Sequence, residues 1–167
     1  PRLTEAVARG LHKLTAYKDE YEVARLLIGP EARAAAAALG GPGAKATWHL
    51  HPPMLAGLGM TRKLRIPAAL GRPAMHLLAR GRFLRGTAFD PFGRTGVRRL
   101  ERQLVAAYRE AVDTILAGLT AANLDEAVAI AELAMDVRGY EALKLERGGV
   151  FLAETAERVG RYASSAR

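Results

Sequence analysis

The chain has 167 residues, half of them apolar, with 25 lysines and arginines against 17 acids and no cysteine. That length suits one domain with a proper core. The missing cysteine excludes disulfides, thiolate catalysis and any cysteine-held zinc or iron–sulfur cluster in this segment, and no apolar run approaches the roughly 18 residues of a membrane span.

A formal charge of +8 invites an anionic partner. Yet the arginines are scattered along an Ala- and Gly-rich chain, a pattern that genome composition or a surface docked on an acidic neighbour also produces, so nucleic acid is not the expected partner. The opening Pro1-Arg2-Leu3-Thr4-Glu5 has no methionine and no signal pattern, so the chain reads as a segment of a longer polypeptide, and the absence of cysteine fits the cytoplasm.

Leu3 to about Thr15 predicts a helix with Leu3, Val7, Leu11 and Leu14 on one face. The next stretch, Ala16 to Leu27, continues it or starts another. It carries Tyr17 and Tyr21 with Ala24 on one side and a Lys18/Glu22 pair on the other. Both tyrosines are expected to pack in a core with their hydroxyls reaching a rim partner. Gly29-Pro30-Glu31 stops one helix and starts the next, since proline suits a first helical position and an acid suits the first turn. Gly40-Gly41-Pro42-Gly43 ends that helix and lacks the Lys-Ser/Thr ending of a phosphate loop.

Residues 44–50 alternate apolar and polar and predict a strand, with 61–66 as its hairpin partner. His49 and His51 share a face of that strand at a spacing that suits a metal, but no third ligand lies nearby and no metal is expected. His12 and His76 fall in helical patterns and are expected to be structural. Ala68 to about Leu84 predicts a basic helix, with Leu70, Met75, Leu77, Leu78 and Phe83 apolar, Pro73 near its start, and Arg72, Arg80, Arg82 and Arg85 along it.

Asp90-Pro91 and Phe92-Gly93 are turn dipeptides, and Thr95 is the expected N-cap of one long central helix, 95–119. Val97, Leu100, Leu104, Ala107, Tyr108, Ala111, Val112, Ile115 and Leu119 give that helix one apolar face, which makes it the spine of the core. Asn123-Leu-Asp-Glu126 has the form of a capping box before a helix over 124–135. Arg138-Gly139 breaks that helix. Tyr140 to Lys144 resumes it, and Gly148-Gly149 is expected to interrupt again before 150–162. The fold class is therefore mainly α: one helical domain over 1–167 around a central helix, with a small two-stranded hairpin.

Glu101 falls within the apolar arc of the central helix. A carboxylate there must be paired or protonated, because an isolated buried charge is too costly. Arg85, Arg98 and Arg138 are its expected partners, and Asp90, before Pro91, is expected to build a turn. No Ser/His/Asp arrangement, dinucleotide glycine fingerprint or zincin motif is present.

Three segments together resemble a known family. They are Ala16-Tyr-Lys-Asp-Glu-Tyr-Glu-Val-Ala-Arg-Leu26, Trp48-His-Leu-His-Pro-Pro-Met-Leu55, and Leu84-Arg-Gly-Thr-Ala-Phe-Asp-Pro-Phe-Gly93 followed by Arg98-Arg-Leu-Glu-Arg102. A fourth, Val137-Arg-Gly-Tyr140 with Lys144, resembles a closing Ile-Arg-Gly-Phe motif. The resemblance is to the C-terminal helical domain of the fused indolepyruvate ferredoxin oxidoreductases, a branch of the 2-oxoacid:ferredoxin oxidoreductases. It implies a parent that uses thiamine diphosphate, iron–sulfur clusters and coenzyme A to turn an aryl 2-oxoacid into an acyl-CoA while reducing ferredoxin.

The cofactor sites belong to other domains of that family, so this segment is expected to hold no cofactor and to contact the rest of its parent, perforce as part of any homo-oligomer the parent forms. On this reading Arg85, Asp90, Arg98, Arg99, Glu101, Arg102 and Arg138 are structural or candidate docking residues, with no catalytic residue and no metal ligand. The alternative is an anion- or partner-binding module, its basic 72–85 surface taking coenzyme A phosphates or ferredoxin. The chain departs from the family pattern at Arg94-Thr-Gly-Val97, where a Tyr-Thr-Ala-Glu is common, and at Glu141-Ala-Leu-Lys144, where a Gly-His-Val-Lys is common.

Overall fold

The computed structural model describes residues 1–16, 19–41, 43–50, 61–139 and 141–165. Among them are seven α-helices and a two-stranded antiparallel sheet, the mainly helical architecture expected. A length suited to one domain carries two compact units, one made of Pro1–Tyr17 with Arg94–Arg167 and the other of Lys18–Gly93.

The larger unit contains α1 (Arg2–Thr15), α5 (Gly96–Ala117), α6 (Leu124–Glu132) with a 3₁₀ turn over Leu133–Asp136, and α7 (Glu141–Ser165). Thr95 caps α5 as expected, its hydroxyl accepting from the Arg98 N–H at 3.3 Å. The expected apolar face is the buried one: Leu100, Leu104, Tyr108, Ala111 and Ile115 all lie inside, with Glu101 among them. Leu119 falls beyond the helix end and is exposed.

Two apolar clusters follow α5 along its length. Ile115 packs with Leu3, Ala6, Ala127, Ile130 and Tyr162, while Leu100, Leu104 and Tyr108 pack with Leu14, Ala134 and Phe151. Each large side chain so buried contributes on the order of 1.5–3 kcal/mol.

Two expectations in this unit need correction. Asn123 does not cap α6 through its side chain. Its amide instead donates to the Gly118 carbonyl at 2.9 Å, and its oxygen accepts from the Thr120 N–H at 2.8 Å, so it closes the turn after α5. Gly148-Gly149 does not interrupt α7, which runs unbroken to Ser165. A Cβ on Gly148 would lie 3.1 Å from Leu100 Cγ, so that glycine lets α7 approach α5 closely.

The smaller unit contains α2 (Glu20–Ile28), α3 (Pro30–Gly40), β1 (Thr47–Leu50), β2 (Leu64–Pro67), α4 (Ala68–Arg80) and a 3₁₀ turn over Gly81–Leu84. The stretch after α1 is a separate helix rather than a continuation. Trp48 pairs with Ile66 across the hairpin, and both press on α4 at Gly71, where a Cβ would sit 2.9 Å from the indole. The hairpin thus leans on a helix, as an isolated two-stranded sheet must.

Gly10 of α1 faces the Tyr108 ring, and a Cβ there would lie 2.7 Å from Tyr108 Cζ. Gly10→Ala is therefore expected to destabilise the chain by about 1–3 kcal/mol through overpacking. Gly149→Ala, whose Cβ meets nothing within 4 Å, should instead stabilise by about 0.5–1 kcal/mol through helix propensity. Urea denaturation of the two variants beside the parent chain checks both signs.

Candidate functional site

The described residues bury four polar or charged side chains, and three of them are carboxylates: Asp19, Asp90 and Glu101. Each carboxylate taken out of water needs donors, and the question for function is whether those donors leave any chemistry free.

Glu101 in the larger unit meets two cations. Arg98, one turn back on α5, donates to Oε2 at 2.6 Å, and Lys144 of α7 donates to Oε1. Arg98 and Lys144 are themselves largely buried. Of the three expected partners only Arg98 is one. Arg138 pairs on the surface with Asp136 at 3.2 Å, and Arg85 belongs to the other unit, where it holds Asp19. Lys144 reaches Glu101 because α7 passes α5 at Gly148, a tertiary fact without a trace in local spacing. Gly139, at φ +101°, turns the chain before α7.

In the smaller unit Asp19 caps α2, accepting from the Glu22 N–H at 2.8 Å, and receives two bonds from the Arg85 guanidinium, the second at 2.9 Å to Oδ1. Asp19-Glu-Tyr-Glu22 has the spacing of a capping box, a signal of this helix start that sequence reasoning missed. Arg85 also lies over the Tyr21 ring, 5.9 Å from its centroid, and Phe92 meets that ring edge-on at 5.3 Å.

The Tyr21 hydroxyl donates to Asp90 Oδ1 at 3.0 Å. Asp90 builds the expected turn: the N–H groups of Gly86 and Phe92 donate to it at 2.9 and 3.1 Å, with Gly86 at φ +73° aiming its donor inward. Burial by itself would raise the Asp90 carboxyl pKa, but the Gly86, Phe92 and Gly93 N–H groups and the Tyr21 hydroxyl outweigh it and hold the group below the usual carboxylate range. Burial, and donation to Asp90, push Tyr21 up to about 12, and burial alone pushes Tyr108 up to about 12.

The remaining expected positions are surface ones. Arg99 and Arg102 are exposed on α5, and His12, His49 and His76 are exposed. Tyr17, His51 and Tyr140 lie outside the described residues. No cluster of three or more potential metal ligands occurs among the described residues, and no described helix is long and apolar enough to cross a membrane. A cleft of about 250 Å³ in the larger unit is lined by Arg2, Glu5, Arg9 and Glu132, and neither Glu101 nor Asp90 opens into it.

Glu101→Ala removes the buried carboxylate that Arg98 and Lys144 share, and is expected to cost about 3–5 kcal/mol of stability by urea denaturation. For Asp90 the folded-state pKa is depressed, so its stabilisation is complete well above pH 4 and is lost as the pH falls through the unfolded value of 3.8 and below. Asp90→Asn should flatten that acid limb. For Tyr21 and Tyr108 the folded pKa is raised, so stability holds to about pH 10 and declines above it as unfolded tyrosines ionise. Tyrosinate absorbance should show two of the five tyrosines titrating near 12.

The profile of a family of unknown function, DUF6537, matches residues 1–156. No curated protein and no solved structure matches the chain.

Proposed function

The chain belongs to the DUF6537 family of unknown function, and we propose that it serves as a non-catalytic structural and docking domain of a 2-oxoacid:ferredoxin oxidoreductase acting on an aryl 2-oxoacid such as indolepyruvate. The observation that supports this reading is what the residues carrying the resemblance do. Asp19 with Arg85 and Tyr21 with Asp90, from two of the resembling segments, are hydrogen-bonded pairs in the smaller unit, and Arg85 lies over the Tyr21 ring between them. Arg98 and Glu101, from the continuation of the Leu84–Gly93 segment, and Lys144, from the fourth, are joined through the Glu101 carboxylate in the larger.

A carboxylate enclosed by two cations, or by backbone N–H groups and a tyrosine, holds its segment in place and has no open side toward a substrate. Thiamine diphosphate, the iron–sulfur clusters and coenzyme A would be held by other domains of the parent. The compartment that goes with this reading is the cytoplasm, and the homo-oligomer would be the parent's.

A second reading is favoured by the exposure of Arg80 and Arg82. On it the domain binds an anion or an acidic partner, coenzyme A phosphates or ferredoxin, through its basic 72–85 surface.

The native polypeptide, detected in its source cells with an antibody to this segment, is expected to be several times longer than 167 residues. Deleting the segment should then lower indolepyruvate-dependent ferredoxin reduction, whereas Asp90→Asn and Glu101→Gln should leave the rate per folded molecule unchanged. A native species near 17.9 kDa overturns the oxidoreductase reading, and so does a rate lost with Glu101→Gln in a chain that still folds.

A further inference from the structure

The positive charge of this chain is not evenly spread. Residues 18–93 hold eleven lysines and arginines against five acids, and from 32 to 89 there are nine of the former and no acid at all. The remainder of the chain is close to balanced, with fourteen basic residues against twelve acidic. An excess of this size in one unit attracts anions over a Debye length of about 8–10 Å and repels a second copy of itself.

Within that unit α4 is packed with its small side inward. Ala68 and Gly71 are buried, while Leu70 and Leu77 are 77% and 75% exposed. At 100° per residue Leu70, Pro73, Ala74 and Leu77 fall within one narrow arc, and all four are exposed. Phe83, just past the helix, is 75% exposed. The inward side has no room for anything larger, since a Cβ on Gly71 would already press on Trp48 and Ile66. Arg80 borders the arc, and Arg82 stands beside Phe83, both exposed. An aliphatic stripe ended by arginines and an aromatic has the composition of a protein interface, where apolar anchors sit inside a charged rim.

We propose that the Leu70–Leu77 face of α4, with Phe83, Arg80 and Arg82, docks an acidic protein surface through an apolar strip rimmed by carboxylates. This deepens the partner-binding reading and rests on it, and it does not need the oxidoreductase one. The absence of any acid between 32 and 89 is what identifies the occupant's charge: the same stretch of a second copy would bring more arginine and no carboxylate. Nucleic acid fits the charge but not the centre, because leucine, alanine and proline neither stack on bases nor bond phosphates.

The test uses the 167-residue chain and a synthetic amphipathic peptide with leucines on one helical face and glutamates beside them. A shuffled peptide of the same composition, and heparin, serve as controls, with affinity read by fluorescence anisotropy. The amphipathic peptide should bind at least tenfold more tightly than the shuffled one and weaken as salt rises. Leu70→Ser/Leu77→Ser and Arg80→Glu/Arg82→Glu should each reduce its affinity about tenfold or more, with unchanged circular dichroism and melting temperature. Equal binding of both peptides and heparin, indifferent to the leucine changes, overturns the α4 face while sparing general anion binding. Binding of none of them overturns the partner-binding reading itself. A chain that sediments as a dimer and becomes monomeric with Leu77→Asp assigns the face to a second copy and overturns the proposal as well.

Discussion

A carboxylate withdrawn from water has to be met by donors, and that demand organises both units of this protein. Glu101 sits where the spine of the larger unit is otherwise apolar, and its two oxygens are divided between a cation from its own helix and one from α7. The pair of bonds fixes the rotation of α5 and the register of α7 together. Asp19 and Asp90 do the equivalent in the smaller unit, where Tyr21, Ala24, Trp48 and Ala68 are the buried apolar members among the described residues. There the ion pair to Arg85 and the turn wrapped around Asp90 hold segments that burial alone would hold weakly. Removing one member of such a set is costly because the others stay behind as unpaired charge.

Close helix approach is the second constraint, and glycine supplies it. Gly10 makes room for the Tyr108 ring, whose hydroxyl donates to the Ala131 carbonyl at 3.0 Å, and Gly148 makes room for Leu100. Gly71 does the same for Trp48. In the larger unit the close approach also carries the electrostatics, because Lys144 reaches Glu101 on the same pair of helices that Gly148 brings together. In the smaller unit the consequence is different. A helix that turns Ala68 and Gly71 inward leaves Leu70 and Leu77 outside, and an apolar face is exposed in the unit that holds most of the net charge.

Function follows from what these two constraints leave over. The buried carboxylates are occupied by protein donors and act as pins, which supports reading the segments that carry them as structural. Among the exposed features are a basic surface and an apolar helix face, a combination that supports the proposed docking role. A domain that docks, on other domains of one polypeptide or on an acidic protein, uses both.

Much of this was legible in the sequence. The 3.6-residue spacing of Leu100, Leu104, Tyr108, Ala111 and Ile115 determines α5 and its buried face, Thr95 its start, Gly29-Pro30 the break between α2 and α3, and the alternation around Trp48 the hairpin, because each of these depends on residues adjacent along the chain. The intrusion of Glu101 into an apolar arc was equally plain, and so was its need for a partner. Which partner, however, was decided by tertiary structure: Lys144 is 43 positions away, and Arg85 meets Asp19 across 66. Gly148 read as a helix break because propensity counts only the local chain, whereas α7 continues through it on the strength of packing against Leu100. Leu70 and Leu77 were legible as apolar positions of a helix, but periodicity does not show which side another element covers, and both are exposed. The sequence by itself determined the elements, their faces and the requirement that buried charge be paired. Only the folded chain decided the pairing and the face left open, since both depend on which distant segments come within a few ångströms of each other.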